Sequence, residues 1–267
     1  MNVTRPVRLL HVTDPHLFAD EACTIYDVNT ASSFRKVLDE ALGDGAPPPD
    51  AILATGDIGD DLSPQAYRWF RDSLRGIGVP VLCLPGNHDE PALMAQLLDS
   101  DGFQYCGRAE FGGWGIVLLD THLPYDPSGY LTKSELARLE ADLRALADRP
   151  VLVCLHHPPV PVGSAWLDAV GLRNGPEFLA VIDRFPQVKA VLAGHVHQAF
   201  DRQRGEVRLL TTPSTCAQFT PGTARCVMDV RPPGYRWLNL MPDGTIETEV
   251  VWLRDWVVAG RPRDSRA

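Results

Sequence analysis

Five short segments of this 267-residue chain contain most of the side chains that could bind metal ions. Their ligand atoms are carboxylate oxygens, an amide oxygen and imidazole nitrogens, without a thiolate. This mixture suits borderline transition metals such as manganese, iron and zinc, and it is large enough for two ions. The segments are Asp14-Pro15-His16, Gly56-Asp57, Gly86-Asn87-His88-Asp89, His156-His157 and Gly194-His195-Val196-His197.

Two of the segments place ligands one residue apart. On an extended backbone, side chains at positions i and i+2 point the same way, so Asp14 and His16 could chelate one ion. A pair of this kind is, in isolation, more often a turn aspartate beside an unrelated histidine. His195 and His197 would likewise share a face, and each could reach a different ion.

The glycine-led segments carry the most specific chemistry. Asp57 follows a glycine that permits close backbone approach, and a carboxylate can bridge two cations with its two oxygens, although an Asx turn is the ordinary alternative. Asn87 offers a neutral oxygen, and His88 can titrate near neutral pH as an acid. The alternative for these two residues is a helix N-cap with surface neighbours.

Other histidines and one carboxylate are weaker candidates. Either histidine of the pair at 156–157 could complete the ligand set; we favour His156 as the ligand, and expect His157 to orient a ligand or the phosphate from behind. His11, inside an apolar run, is expected to be satisfied within the fold, and His122 lies on a polar loop. Asp120 could accept a hydrogen bond from a ligand imidazole or end a strand in a turn.

Short apolar runs alternate with amphipathic stretches through most of the chain. Five of the runs stop directly before a metal-binding segment, and the carboxyl ends of strands are where α/β sheets gather ligands. Asn29-Thr30 and Thr132 are expected helix N-caps. The predicted strands are 7–13, 51–55, 79–84, 116–119, 151–155 and 188–193. The predicted helices are 33–42, 64–74, 91–98, 133–146 and 176–185.

The alternation changes to a β-rich part from about residue 207. Its predicted strands are 208–212, 226–230, 235–241 and 246–253. The pattern predicts an α/β fold in which two packed mixed sheets are flanked by helices, a four-layer αββα sandwich. We expect a single domain over residues 1–259 and a loose tail at 260–267.

Composition limits the classes of partner. A net charge of −9 and a pI near 5.3 argue against binding to duplex nucleic acid or to an anionic membrane. Bound cations would attract an anionic substrate locally. The six cysteines have no CxxC spacing, and no apolar run has the length of a leader or a membrane span, so we expect reduced thiols and a cytoplasmic protein, either monomer or homo-oligomer.

In order and type, the five segments resemble the pattern of calcineurin-like metallophosphoesterases, D-x-H, G-D, G-N-H-D/E, H and G-H-x-H. Further segments resemble the bacterial class III 3′,5′-cyclic AMP phosphodiesterases. These are 13–18, 28–30, 166–168, 172–174, 212–219 and 233–237. The resemblance implies a first ion held by Asp14, His16, Asp57 and His197. It implies a second ion held by Asp57, Asn87, His156 and His195, with His88 as the catalytic histidine.

The resemblance also implies the reaction, hydrolysis of 3′,5′-cyclic AMP to 5′-AMP by in-line attack of a metal-bridging hydroxide. A broader phosphodiesterase acting on glycerophosphodiesters, 2′,3′-cyclic nucleotides or aryl phosphodiesters is the main alternative. A metal-free binding scaffold is a second, and a nuclease is disfavoured by the acidic balance. The substrate-binding candidates are Asn87, His88, His157, Asn174 and His195, with Thr215 and Cys216 as further candidates beside the nucleobase.

Overall fold

Strands and helices alternate through the first two thirds of the chain, as the apolar runs predict. The computed structural model describes residues 5–43, 45, 47–254 and 256. The strands are β1 (Val7–Val12), β2 (Thr24–Ile25), β3 (Val28–Asn29), β4 (Ala51–Ala54), β5 (Val81–Cys83), β6 (Phe103–Tyr105), β7 (Gly107–Phe111), β8 (Trp114–Leu118), β9 (Val151–Leu155), β10 (Val188–Ala193), β11 (Phe200–Arg204), β12 (Val207–Thr211), β13 (Gly234–Leu240) and β14 (Ile246–Trp252). The helices are α1 (Thr30–Leu42), α2 (Pro64–Arg75), α3 (Pro91–Leu97), α4 (Lys133–Ala145), α5 (Ala165–Asp168) and α6 (Gly175–Ile182).

The larger strands form two six-stranded mixed sheets. One has the order β14-β13-β1-β4-β5-β6, with a parallel half from β1 to β6 and an antiparallel edge formed by β13 and β14. The other has the order β11-β12-β10-β9-β8-β7, with β12, β10, β9 and β8 parallel and the outer strands antiparallel. Both sheets therefore bring several strand carboxyl ends to one edge.

Apolar side chains pack in three places, between the two sheets and on the outer face of each sheet. Leu9, Leu53 and Leu82 of the first sheet pack against Leu152 and Leu192 of the second. On the outer faces, α1 and α2 cover the first sheet, and α4 and α6 cover the second. The predicted four-layer αββα sandwich is confirmed.

Local signals at the helix starts behave as predicted. Asn29 caps α1 by accepting a hydrogen bond from the backbone N–H of Ser32, and Thr132 caps α4 through the N–H of Glu135. The predicted strands and helices of the first 193 residues all form, with ends displaced by at most three residues. Among the described residues, no helix is both long enough and apolar enough to cross a bilayer.

One predicted strand is wrong. Residues 226–230 form no strand and contribute only a single bridge, between Met228 and Phe219. Val227 and Val230 are 46% and 76% exposed, so the β-branched side chains that suggested a strand have no sheet to pack against. The polar edge strands β7 and β11 and the two-residue strands β2 and β3 went unpredicted because they lack an apolar run. The predicted tail at 260–267 lies outside the described residues, and the single-domain boundary stays a prediction.

Candidate metal centre

The five polar segments meet at the carboxyl edge of both sheets. Those that begin at Asp14, Gly56 and Gly86 follow β1, β4 and β5 of the first sheet. Those that begin at His156 and Gly194 follow β9 and β10 of the second sheet. The site therefore lies across the ends of both sheets, and its placement at strand ends is confirmed.

The backbone of the site is left-handed at five of the seven predicted ligands. Their φ angles lie between 48° and 69°, at Asp14, His16, Asp57, His195 and His197. The extended conformation expected for the two paired segments is therefore wrong. Non-glycine residues rarely adopt this conformation, and such strain is concentrated at functional sites, where surrounding contacts impose it.

One cluster of candidate ligand atoms combines four side chains from three segments of the sequence. The Nε2 atoms of His16 and His197 lie 3.3 Å apart, and Asp14 Oδ1 lies 3.4 Å from His197 Nε2. Asp57 Oδ2 lies 3.8 Å from His16 Nε2. All four side chains are buried. The ligand atoms of Asp14, His16 and His197 lie close enough together to hold one metal ion.

In His16 and His197, the hydrogen bond made by Nδ1 determines that Nε2 is the nitrogen left to bind a metal ion. His16 Nδ1 donates to Asp60 Oδ1 at 2.9 Å, and His197 Nδ1 donates to the carbonyl oxygen of Ala217 at 2.8 Å. In the neutral form of an imidazole whose Nδ1 donates, Nε2 carries a lone pair, and these two Nε2 atoms face each other beside carboxylate oxygens. A cation fits this arrangement, because it satisfies acceptors that have no proton between them.

A second cluster lies on the other side of Asp57. His156 Nδ1 donates to the carbonyl oxygen of Thr55 at 2.7 Å, which directs Nε2 toward this cluster. That Nε2 lies 3.3 Å from Asp57 Oδ2 and 3.2 Å from Asn87 Oδ1. His195 Nδ1 lies 2.9 Å from the same Asn87 oxygen. Nitrogen atoms of two imidazoles, a carboxylate oxygen and an amide oxygen again converge, and no single hydrogen-bond donor of the protein contacts all of them.

Asp57 connects the two clusters through one oxygen. Its Oδ2 faces both His16 and His156, whereas its Oδ1 accepts a hydrogen bond from the backbone N–H of His88 at 2.9 Å. The sequence-based expectation used both oxygens of this carboxylate as ligands. In the structure a single oxygen is placed to be shared, and the second one fixes the loop that carries His88.

Gly86 allows the close approach that brings these loops together. A β-carbon at this position would lie 2.7 Å from His156 Cε1, 2.5 Å from the Asp57 backbone nitrogen and still closer to the Asp57 carboxylate. Any larger residue therefore displaces two candidate ligands at once. Glycine is required here by space rather than by backbone conformation.

The buried charges indicate where positive charge is needed. Burial raises the pKa of Asp14, but His197 and His156 lower it to about 2. Burial likewise opposes ionisation of Asp57, and nearby histidines hold its pKa well below the usual range. Burial lowers the pKa of His156, yet Asp57 and Asp14 raise it to about 9. Buried carboxylates require paired cations or metals, and this pocket has only histidines to offer.

Two carboxylates support the centre and were given no role by sequence reasoning. Asp60 Oδ1 lies 2.9 Å from the Nδ1 atoms of both His16 and His88. Asp89 accepts from the backbone N–H groups of Gly86 and Gly59 at 2.9 Å each, so it ties two of the loops together. The position of Asp60 three residues after Asp57, on the same loop, is the signal that could have identified it.

Two substrate-binding candidates are held by hydrogen bonds to other parts of the protein. His157 Nδ1 lies 2.8 Å from Thr121 Oγ1, and its ring centre lies 4.6 Å from that of His195, so it lies behind the second cluster. Asn174 exchanges hydrogen bonds with the backbone of Leu131 through both its amide oxygen and its amide nitrogen. Substrate contact by either residue stays a prediction.

Two of the remaining candidates have structural partners in this fold, and nucleobase contact by Thr215 and Cys216 stays a prediction. His11 lies between Thr212 and Thr55, at 2.6 and 2.8 Å, and is satisfied within the fold as expected. Asp120 accepts from the N–H of His122 and from a tyrosine hydroxyl, which is the turn alternative. Thr215 and Cys216 are fully buried.

The comparison with protein families agrees with this geometry. Residues 7–199 match the calcineurin-like phosphoesterase family. The chain belongs to that family. The match covers all five segments, and it ends two residues after His197. Members of this family use a dinuclear metal centre, in agreement with two ligand clusters that share one carboxylate.

Relatives of this calcineurin-like phosphoesterase extend over almost the whole chain. It is 40% identical to the 3′,5′-cyclic adenosine monophosphate phosphodiesterase CpdA of Pseudomonas aeruginosa, over 95% of both chains. It is 42% identical to CpdA of Escherichia coli K12, over 93% of this chain and 90% of the relative. A dimetal phosphatase from Danio rerio shares the fold with a TM-score of 0.65 and 16% identity, over 93% of this chain and 100% of that one.

Proposed function

We propose that this protein is a metal-dependent phosphodiesterase that hydrolyses 3′,5′-cyclic AMP to 5′-AMP. The observation that carries the proposal is the pair of ligand clusters that share Asp57 Oδ2. The substrate follows from relatives that are named cyclic AMP phosphodiesterases and match the chain nearly end to end. Both ligand clusters are complete, so nothing favours a metal-free scaffold.

The proposed ligands divide between the clusters as the distances suggest. Asp14, His16, Asp57 and His197 would hold one ion. Asp57, Asn87, His156 and His195 would hold the other. When bound, two such ions supply Lewis acidity toward the phosphate and an activated water. The donor set suits manganese, iron or zinc, and none of its ligands is a thiolate.

His88 is the residue proposed to move a proton. Its side chain is 46% exposed, whereas six of the seven proposed ligands are buried, so it lies at the opening of the site. Nδ1 faces Asp60, which leaves Nε2 free to face a bound phosphodiester. Burial lowers the pKa of His88, but hydrogen bonding to Asp60 and the charge of Asp57 raise it to about 9. A protonated His88 can donate to the departing ribose 3′-oxygen and stabilise charge on phosphate oxygens.

A broader phosphodiesterase is the second candidate, because the two clusters recognise a phosphodiester rather than a base. The test compares kcat/KM for 3′,5′-cyclic AMP, 2′,3′-cyclic AMP and glycerophosphoethanolamine after the metals are quantified in purified protein. We expect two metal ions per chain and the highest kcat/KM for 3′,5′-cyclic AMP. A far lower value for that substrate than for either competitor would reject the assignment.

We also propose a cytoplasmic location. Cys83, Cys154 and Cys216 are buried as free thiols, and burial raises the pKa of each. Unpaired thiols are typical of reducing compartments. Detection of the protein in the cytosolic fraction after cell lysis tests this assignment.

A further inference from the structure

Tyr26 is a large aromatic side chain that remains 53% exposed beside the metal centre. Its ring centre lies 5.9 Å from that of Phe219, with the planes at 81°. Phe219 in turn stacks on His197, one of the proposed ligands, at 4.5 Å between ring centres and 21° between planes. One buried aromatic ring therefore separates Tyr26 from the first cluster.

The backbone that presents Tyr26 is strained. Strands β2 and β3 are joined by Tyr26 and Asp27 alone, and the φ angles of these two residues are 49° and 66°. Two-residue turns with positive φ at both positions favour Asn and Gly, because a bulky side chain clashes with its own backbone there. The half-exposed ring gains little from packing, so burial does not explain why an aromatic residue occupies this turn.

The hairpin that carries Tyr26 is fixed to the site rather than free. Asn29 donates from its side-chain nitrogen to the carbonyl oxygens of Glu21 and Cys23, while its oxygen caps α1. Val28 packs against Ala217, whose carbonyl oxygen accepts the hydrogen bond from His197 Nδ1. Ala217 therefore contacts both a proposed metal ligand and the hairpin that carries the turn.

The Tyr26 hydroxyl is close enough to Asp60 to be affected by its charge. The pKa of Tyr26 is raised first by burial and then by its neighbour Cys226, and the carboxylate of Asp60 adds to the effect. Asp60 also contacts His88, the exposed histidine at the opening. Tyr26 therefore lies near the carboxylate that contacts His88, and it also contacts Phe219, the aromatic ring stacked on His197.

We propose that Tyr26 is a specificity residue whose ring stacks on the nucleobase of the substrate while the phosphodiester occupies the metal centre. The inference rests on the proposed function, since it requires a nucleotide substrate. Aromatic rings stack on any base and contribute affinity without hydrogen-bond readout. The ring would therefore favour nucleotides over alkyl phosphodiesters and discriminate little between adenine and guanine.

Tyr125 is the matched comparison. It is a fully exposed tyrosine that, like Tyr26, has a positive φ angle, 60°, and it lies on the loop whose Pro127 carbonyl oxygen accepts from His157. It therefore lies toward the second cluster and has no aromatic neighbour among the described residues. Asparagine tolerates left-handed backbone, so Tyr26→Asn and Tyr125→Asn remove each ring without adding strain.

The test measures kcat and KM of the metal-loaded variants on two substrates. One is 3′,5′-cyclic AMP, and the other is 1,2-dideoxyribose 3′,5′-cyclic phosphate, which has the same cyclic diester and no base. For Tyr26→Asn we expect KM for cyclic AMP to rise about 5- to 150-fold, the range that base stacking provides. Activity on the abasic diester should stay at the level of the unaltered protein. Tyr26→Phe should keep the KM for cyclic AMP, and Tyr125→Asn should behave as the unaltered protein.

Results that contradict the stacking role can be distinguished from results that contradict the proposed function. Equal losses on both substrates in Tyr26→Asn, or no loss on either, would overturn the stacking role while leaving the proposed function intact. A rise in KM for cyclic AMP in Tyr125→Asn but not in Tyr26→Asn would assign the base to the other side of the site. Hydrolysis of the abasic diester without hydrolysis of cyclic AMP by the unaltered protein would reject the proposed function and this inference together.

Discussion

Asp60 Oδ1 lies 2.9 Å from His88 Nδ1, and the same oxygen lies 2.9 Å from Nδ1 of the proposed ligand His16. One carboxylate thus orients the histidine proposed to transfer a proton and a histidine proposed to bind metal. Nearby histidines hold the pKa of Asp60 below its usual range despite burial, so it is ionised at neutral pH. The two imidazoles can each donate Nδ1–H to it, which presents Nε2 toward the site.

We predict that Asp60→Asn lowers kcat for cyclic AMP by about 10- to 100-fold, the usual cost of losing a carboxylate behind a ligand histidine. An amide can donate as well as accept, so it no longer fixes both tautomers. Asp61→Asn is the control, because Asp61 caps the backbone of Ala19 and Ser63 and contacts neither histidine. Equal activities of the two variants would show that the Asp60 contacts do not assist the reaction.

We predict that His88→Ala lowers kcat for cyclic AMP by about 10²- to 10⁴-fold, the contribution typical of a positioned general acid. Metal content measured by elemental analysis should be unchanged, since His88 belongs to neither ligand cluster. The loss should be much smaller on bis(4-nitrophenyl) phosphate, whose leaving group departs without a proton. A loss of equal size on both substrates would contradict proton donation and leave His88 as a phosphate contact.

The site could be located from sequence because its residues follow apolar runs. The run before Asp14 becomes β1 and the run before Gly194 becomes β10, and parallel strands carry their carboxyl ends to one edge. Local periodicity is enough for such strands, since buried parallel strands are nearly continuous in apolar residues. The positions of both clusters followed from this placement, and the choice of His156 rather than His157 as the ligand stays a prediction.

Side-chain partners and turn geometry could not be predicted in the same way. The left-handed conformation of His195 is imposed by contacts between loops, such as its N–H donating to Asp14, and periodicity does not report such contacts. Asp60 gains its role only because its loop returns toward His88. The predicted strand at 226–230 failed for a related reason, because a β-branched segment also needs a neighbouring strand.

We predict that Gly86→Ala abolishes binding of both metals or reduces their affinity by about 100-fold. The added β-carbon overlaps the Asp57 carboxylate and the His156 ring, and both belong to the shared part of the centre. Gly76→Ala is the matched control, because no atom lies within 4 Å of a β-carbon there and the backbone is right-handed. Normal metal content in Gly86→Ala would mean that the loops around Asp57 can separate without loss of the site.

We predict that His11 makes the stability of the protein depend on pH below about 6.5. Burial first, and then the charge of Arg236, lower the pKa of His11 to about 3 in the folded protein, against 6.5 for an ordinary histidine. The unfolded chain therefore binds the extra proton first as the pH falls, so this stability is complete above about 6.5 and is lost toward pH 3.

Between these two pKa values, His11 should lower the free energy of unfolding by about 1.4 kcal/mol for each unit that the pH falls. Urea unfolding of the unaltered protein and of His11→Gln between pH 8 and pH 4.5 measures it. The difference at pH 8, where the histidine is neutral in both states, gives the effect of packing and of the hydrogen bonds to Thr212 and Thr55. Relative to its value at pH 8, the free energy of unfolding of the unaltered protein should fall more steeply as the pH is lowered than that of His11→Gln. Parallel curves would show that His11 is protonated in the folded protein, with its two threonine partners rearranged as acceptors.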